Sequence, residues 1–109
     1  MTVYVLNLNQ KSLGPGQQVS PANQAGSANP PTQTLQINLV GTGAVSCSVA
    51  YQGSNDGITF QNITPPIVIA SAPSPQYANA TFNDTWQYYQ ANVTAIAGTN
   101  ASVSTYMAC

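Results

Sequence analysis

Three side chains in this sequence carry formal charge, Lys11, Asp56 and Asp84, and there is no histidine and no glutamate. Two carboxylates can share a proton or hold a cation, yet each of these belongs to a local turn signal. Asp56 sits in Gly53-Ser54-Asn55-Asp56-Gly57 and Asp84 in Asn83-Asp84-Thr85. General acid–base work needs a group poised near neutral pH, and covalent catalysis needs a nucleophile beside a base. Without histidine, both the commonest base and the commonest metal ligand are missing. Cys47 has no base partner and falls at an inward strand position, where a small buried thiol is expected. Cys109 closes the sequence. A Cys47–Cys109 bridge stays open, because sequence alone does not place their Cα atoms. Gly41-Thr42-Gly43 is read as a turn and lacks the spacing of a phosphate cradle. The sequence therefore predicts a protein that is not an enzyme, with no cofactor and no metal.

The remaining candidates are contact residues. Trp86, Tyr88 and Tyr89 cluster, and on a regular strand Trp86 and Tyr88 share one face while Tyr89 takes the other. One face of that strand is expected to fill the core; the exposed side would serve a protein contact or stack on a sugar. Leu13 and Val19 are the apolar anchors of the polar stretch Asn9–Thr32. Five Asn-x-Ser/Thr triplets, at Asn62, Asn79, Asn83, Asn92 and Asn100, are read as a product of composition.

Charged residues make up 3% of the chain, against about 25% in ordinary soluble domains. Solubility then rests on Ser, Thr, Asn and Gln, which hydrate a surface without repelling a neighbour. Low net charge favours association, so the composition suits a molecule that lives inside an assembly. A single lysine cannot track phosphates or hold an anionic bilayer, which argues against nucleic acid and membrane as partners. Residues Met1–Leu8 show no basic n-region, so a signal peptide is not expected. Synthesis in a cytoplasm follows as the expectation.

At 109 residues, with 43% apolar, the chain fits one domain with a modest core. Eight glycines and eight prolines punctuate runs of β-branched and aromatic residues, the mark of many short strands. Strands are predicted at Thr2–Leu8, Gln33–Val40, Ala44–Gln52, Ile58–Ile63, Ile67–Ala70, Tyr77–Phe82, Trp86–Ile96 and Ala101–Ala108. In these, Leu35, Ile37 and Leu39 share a face, as do Val45, Cys47, Val49 and Tyr51, then Ala91, Val93 and Ala95. Ile58 and Phe60 form the expected inward pair after an Asp-Gly hairpin turn. Gly41–Gly43 and Ala97–Asn100 are expected to reverse the chain, the second closing a terminal hairpin. About eight strands suit an all-β antiparallel sandwich, jelly-roll-like, with an immunoglobulin-like form as the alternative. The domain spans 1–109, with 9–32 a long loop or an arm that orders against a neighbouring subunit.

Two segments resemble short virion proteins of tailed bacteriophages. One is the hairpin Val49-Ala50-Tyr51-Gln52-Gly53-Ser54-Asn55-Asp56-Gly57-Ile58-Thr59-Phe60. The other runs from Trp86-Gln87-Tyr88-Tyr89-Gln90 through Ile96 and Gly98-Thr99 to Ala101-Ser102-Val103. Together they cover about a third of the chain; many such relatives carry Arg where Gln90 stands. The resemblance implies a head decoration or cement protein of the virion, assembled in the host cytoplasm. It would bind the outside of the phage head, with the major capsid protein and copies of itself, as a dimer or trimer, for partners. Ser-Asn-Asp-Gly before an aromatic residue also resembles galactose-binding-like jelly rolls, which implies the alternative of a glycan- or host-binding module of a tail or fibre.

Overall fold

β-Branched and aromatic side chains alternate with Thr, Gln, Asn and Ser along most of the chain, a pattern that fits a pleated, half-buried surface. The computed structural model describes residues 3–20, 32–83 and 86–108. Seven strands and no helix occur among them: β1 (Val3–Gln10), β2 (Gly14–Pro15), β3 (Gln33–Ser54), β4 (Gln61–Asn62), β5 (Ile67–Pro73), β6 (Gln76–Phe82) and β7 (Tyr88–Ala108). The fold is all-β, and every pairing is antiparallel.

β3 and β7 form the spine. They are 22 and 21 residues long and pair from Thr34–Ala108 at one end to Ser54–Tyr88 at the other. Along the other edge of β7 run β1, β2 and then Val19, with Val3 opposite Ala108, Gly14 opposite Val93 and Val19 opposite Tyr89. Along the other edge of β3 run β4, β5 and β6, from Gly53–Gln61 through Val49–Ile67 to Gln33–Phe82. The strands thus lie in four lanes of one open sheet: β1 with β2, then β7, then β3, then β4 to β6.

Neither expected reversal turns the chain. Gly41–Gly43 lies inside β3 and Ala97–Asn100 inside β7, and Thr42 faces Thr99 across the pair. Gly43 (φ 73°), Gly98 (φ 124°) and Asn100 (φ 54°) take left-handed backbone there, and the register shifts on both sides of Thr42. Two facing bulges bend a paired ribbon without opening it. The outer lanes break at the same level: β1 gives way to β2 past Gln10, and β5 gives way to β6 at the cis Ser74–Pro75 bond. Ser74 ties that break to the corner, its N–H donating to the Gly43 carbonyl at 2.9 Å and its Oγ accepting from the Gly41 N–H at 3.0 Å.

The bend is large. A flat strand of 22 residues would reach roughly 70 Å, yet the longest dimension of the molecule is 46 Å. The ends of the spine meet. Tyr89, near one end, packs on Phe82 from the other with ring centroids 5.8 Å apart, and its hydroxyl accepts from Gln33 Nε2 at 3.2 Å.

One face of the bent sheet is the core. Leu35, Ile37 and Leu39 before the corner and Val45, Cys47, Val49 and Tyr51 after it are all buried, as the alternation predicts. Leu6, Ile69, Phe82, Tyr89, Ala91, Val93, Ala101, Val103 and Met107 complete the cluster. The expected run Ala91, Val93, Ala95 stops short, because Ser48 pairs with Ala95 but Val49 with Val93. Thr94 is the extra residue, and its Oγ1 donates to the Ser48 carbonyl at 3.2 Å. Past it Ala95 faces outward and Ile96 packs on the core, since one inserted residue exchanges the faces of a strand.

Candidate functional site

The loop after β3 is longer than the Asp-Gly turn predicted for it, and Asp56 is the reason. Asp56 Oδ1 accepts the N–H groups of Ile58 and Thr59, each at 2.8 Å, and the Ser54 hydroxyl at 2.7 Å. Ser54 Oγ accepts from the N–H of Asp56 and Gly57 at 3.2 and 3.0 Å. Side-chain oxygens thus satisfy backbone donors that a strand ladder would otherwise take. The strand expected at Ile58–Ile63 shrinks to Gln61–Asn62, and Ile58, expected inward, is 84% exposed. The N–H groups of Ile58 and Thr59, then the Ser54 hydroxyl, stabilise the Asp56 carboxylate and lower its pKa to about 2.

Two aromatic rings seat this loop against the start of β7. Trp86 lies over Gly53, where an added Cβ would come within 2.4 Å of the indole. Tyr88 lies against Gly57, whose Cβ would meet the ring at 3.2 Å. The Gln87 N–H donates to Asn55 Oδ1 at 3.2 Å, and the Trp86 N–H donates to the Tyr89 hydroxyl at 2.9 Å. Trp86 packs one side on the core, and with Asn55, Asp56, Thr59 and Gln61 it lines an open cleft of about 400 Å³. Next to it an amide ladder crosses three strands: Gln90 Nε2 donates to Gln52 Oε1 at 2.7 Å, and Gln52 Nε2 to Asn62 Oδ1 at 3.0 Å.

The predicted contact residues separate. Trp86 and Tyr88 are half-buried at the loop end. Tyr89 is 2% exposed, which removes it from the contact set; alternation turns it to the opposite face from Tyr88, into the core. Val19 is also committed inward, exchanging backbone hydrogen bonds with Tyr89 at 3.1 and 2.9 Å and packing on the core. Leu13 is 62% exposed. Within the stretch read as a loop or arm, residues 14–19 lie against the chain's own sheet, with Gly16 N–H donating to the Ala91 carbonyl and Gln17 N–H to the Leu6 carbonyl. Residues 21–31 of that stretch, together with Asp84 and Cys109, lie outside the described residues, and so does the Cys47–Cys109 bridge.

Sequence reasoning missed a second surface. On β1, Val3, Val5 and Leu8 are 59, 40 and 67% exposed. Val5 and Leu8 share a groove of about 500 Å³ with Pro15 and Gln17. On the opposite outer lane Val68 and Tyr77 are 67 and 65% exposed. Alternation turns Val5 out and Leu6 in, but the bulge between Val5 and Asn7 buries Asn7 as well and so turns Leu8 outward; simple alternation therefore does not reveal the stripe. Among the described residues no three His, Cys, Asp or Glu side chains gather as metal ligands. Cys47 is buried, and burial pushes its thiol pKa up, against a smaller opposing effect of its hydrogen bond with the Ile69 backbone. No known family, curated protein or solved structure matches this chain.

Proposed function

We propose that this chain is a structural virion protein, a decoration or cement protein that binds the outside of a phage head and bridges neighbouring capsid subunits. One observation carries the reading. Both outer lanes of the sheet expose large apolar side chains, and the strands that form them, β1, β2, β4, β5 and β6, contain no charged residue. Proteins that work alone blunt such edges with lysine, inward charges or covering loops. Here Val3, Val5 and Leu8 stand on one edge and Val68 and Tyr77 on the other, so one molecule carries two unlike contact surfaces. A bridge needs two such surfaces, and many weak copies sum through multivalency. Copies of the same chain are the second partner, paired about a symmetry axis.

The jelly-roll-like sandwich belongs to this proposal. The corner at Gly43 and Gly98 lays the Leu35–Leu39 half of the core face towards the Val45–Tyr51 half. The contact of Tyr89 with Phe82 and Gln33 supports closure into two layers.

Quantitative mass spectrometry of particles purified from the source tests the assignment, with near-stoichiometric amounts relative to the shell protein expected. Absence from particles overturns it. The double variant Val5→Asp/Leu8→Asp and the single variant Val68→Asp test the two edges. Each should lose particle binding while circular dichroism stays that of the parent; normal binding by both would rule the edges out.

A further inference from the structure

We infer that the cleft between the 54–60 loop and Trp86 binds a neutral carbohydrate. The proposal is independent of the edge contacts above. Reversing the chain between two strands takes as few as two residues. The loop instead extends to Phe60, held open by Asp56, and it supplies three of the cleft's five walls, Asn55, Asp56 and Thr59; Gln61 and Trp86 supply the others. Its volume of about 400 Å³ falls in the range of about 300–1,000 Å³ typical of small-molecule sites.

The chemistry of the walls names the ligand class. An indole packed on the core from one side gives a rigid apolar plane, suited to the C–H face of a pyranose ring. Around it stand two amides, a hydroxyl and a carboxylate. Amides and hydroxyls both donate and accept, and a carboxylate accepts, which matches the paired donor and acceptor character of sugar hydroxyls. Charge then selects among sugars. Asp56 is ionised at every physiological pH, and the chain's one lysine, Lys11, does not line the cleft. A phosphate, sulfate or acidic sugar would meet a like charge with no cation to offset it.

The walls are also fixed in advance, which limits the ordering cost of binding. Asp56 bonds its own loop, Asn55 Oδ1 accepts from the Gln87 N–H, and Gly53 admits the indole where any side chain would displace it.

Trp86 is the sole tryptophan, so intrinsic fluorescence reports on this cleft directly. The experiment titrates the full chain with the methyl glycosides of glucose, galactose, mannose and N-acetylglucosamine, and with lactose and cellobiose, at millimolar concentrations. A saturable change in indole emission is expected for at least one, with amide shifts in nuclear magnetic resonance confined to Asn55, Thr59, Gln61 and the indole N–H. Gln61→Ala, an exposed substitution that spares the fold, should weaken binding about five- to tenfold. Glucuronate should leave the emission unchanged. No saturable response to any of the neutral sugars overturns the proposal. Binding undiminished in Gln61→Ala, or glucuronate bound as well as the neutral sugars, overturns it too.

Discussion

Tyr51 is 1% exposed, and its hydroxyl makes no hydrogen bond among the described residues. Burial, and secondarily the nearby Cys47 sulfur, raises its pKa well above the ordinary tyrosine value. A buried hydroxyl without a partner costs about 1–3 kcal/mol of desolvation. Tyr51→Phe keeps the ring and removes that atom, so the variant should unfold at a higher temperature than the parent by calorimetry; a lower midpoint would mean the hydroxyl is satisfied in solution. Asp56 acts in the opposite sense. Its folded pKa of about 2 lies below the ordinary 3.8, so its contribution to loop order is complete above about pH 4. That contribution is lost as pH falls from there through about 2. Hydrogen exchange at the Ile58 and Thr59 amides should show it, with protection at neutral pH much reduced in Asp56→Ala.

The corner is where elements, and not single residues, decide the fold. Gly98 has φ 124°, and a Cβ there would lie 2.8 Å from the Ala44 carbonyl oxygen. Gly43 has φ 73° and open space around its Cβ position. Gly43→Ala should therefore cost about 1–2 kcal/mol for the left-handed backbone alone. Gly98→Ala adds overpacking worth about 1–3 kcal/mol, and urea titration of the pair should rank Gly98→Ala as the less stable. The same corner marks what sequence can and cannot convey. Alternation along β3 is legible because each apolar residue reports its own face. Gly-Thr-Gly and Gly-Thr-Asn serve a reversal and a bulge equally well, and only the strand opposite distinguishes them. Thr94 is hidden for the same reason. At the cleft, Trp86 is legible as a surface candidate, whereas its neighbours lie across the chain, brought to it by contacts such as Trp86 over Gly53 and Asn55 with Gln87, 32 positions apart.

At the scale of the whole molecule the absence of histidine and glutamate has a direct consequence. Free aspartate side chains ionise near 3.9 and a free α-amino group near 7.7–8.0, Asp56 lies lower still, at about 2, and burial raises the Cys47 pKa. No side-chain type present has an ordinary pKa between about 5 and 7, so the thermal midpoint should be flat across that interval by calorimetry. A slope would demand a coupled group that the sequence does not contain. The proposed particle binding through uncharged edges should likewise persist as ionic strength rises, since there is little for salt to screen. Loss of binding in high salt would point to Lys11, Asp56 or Asp84 in the contact.

β7 is interior to the sheet yet comes last of the seven strands in the chain. Val3 and Thr34 both wait for Ala108, and Asn7 bonds Thr105 from 98 positions away. A chain emerging residue by residue holds β3 with only the β4–β6 lane for company, and β1 with no strand at all. Such distant pairings fold slowly, on the order of milliseconds to seconds. Throughout that interval one whole edge of β3, 22 residues long and without a charge, is bare to any neighbouring nascent chain. That uncharged character makes the molecule's birth the moment of greatest risk, and a fragment ending before Tyr88 should aggregate where one lacking β1 stays in solution.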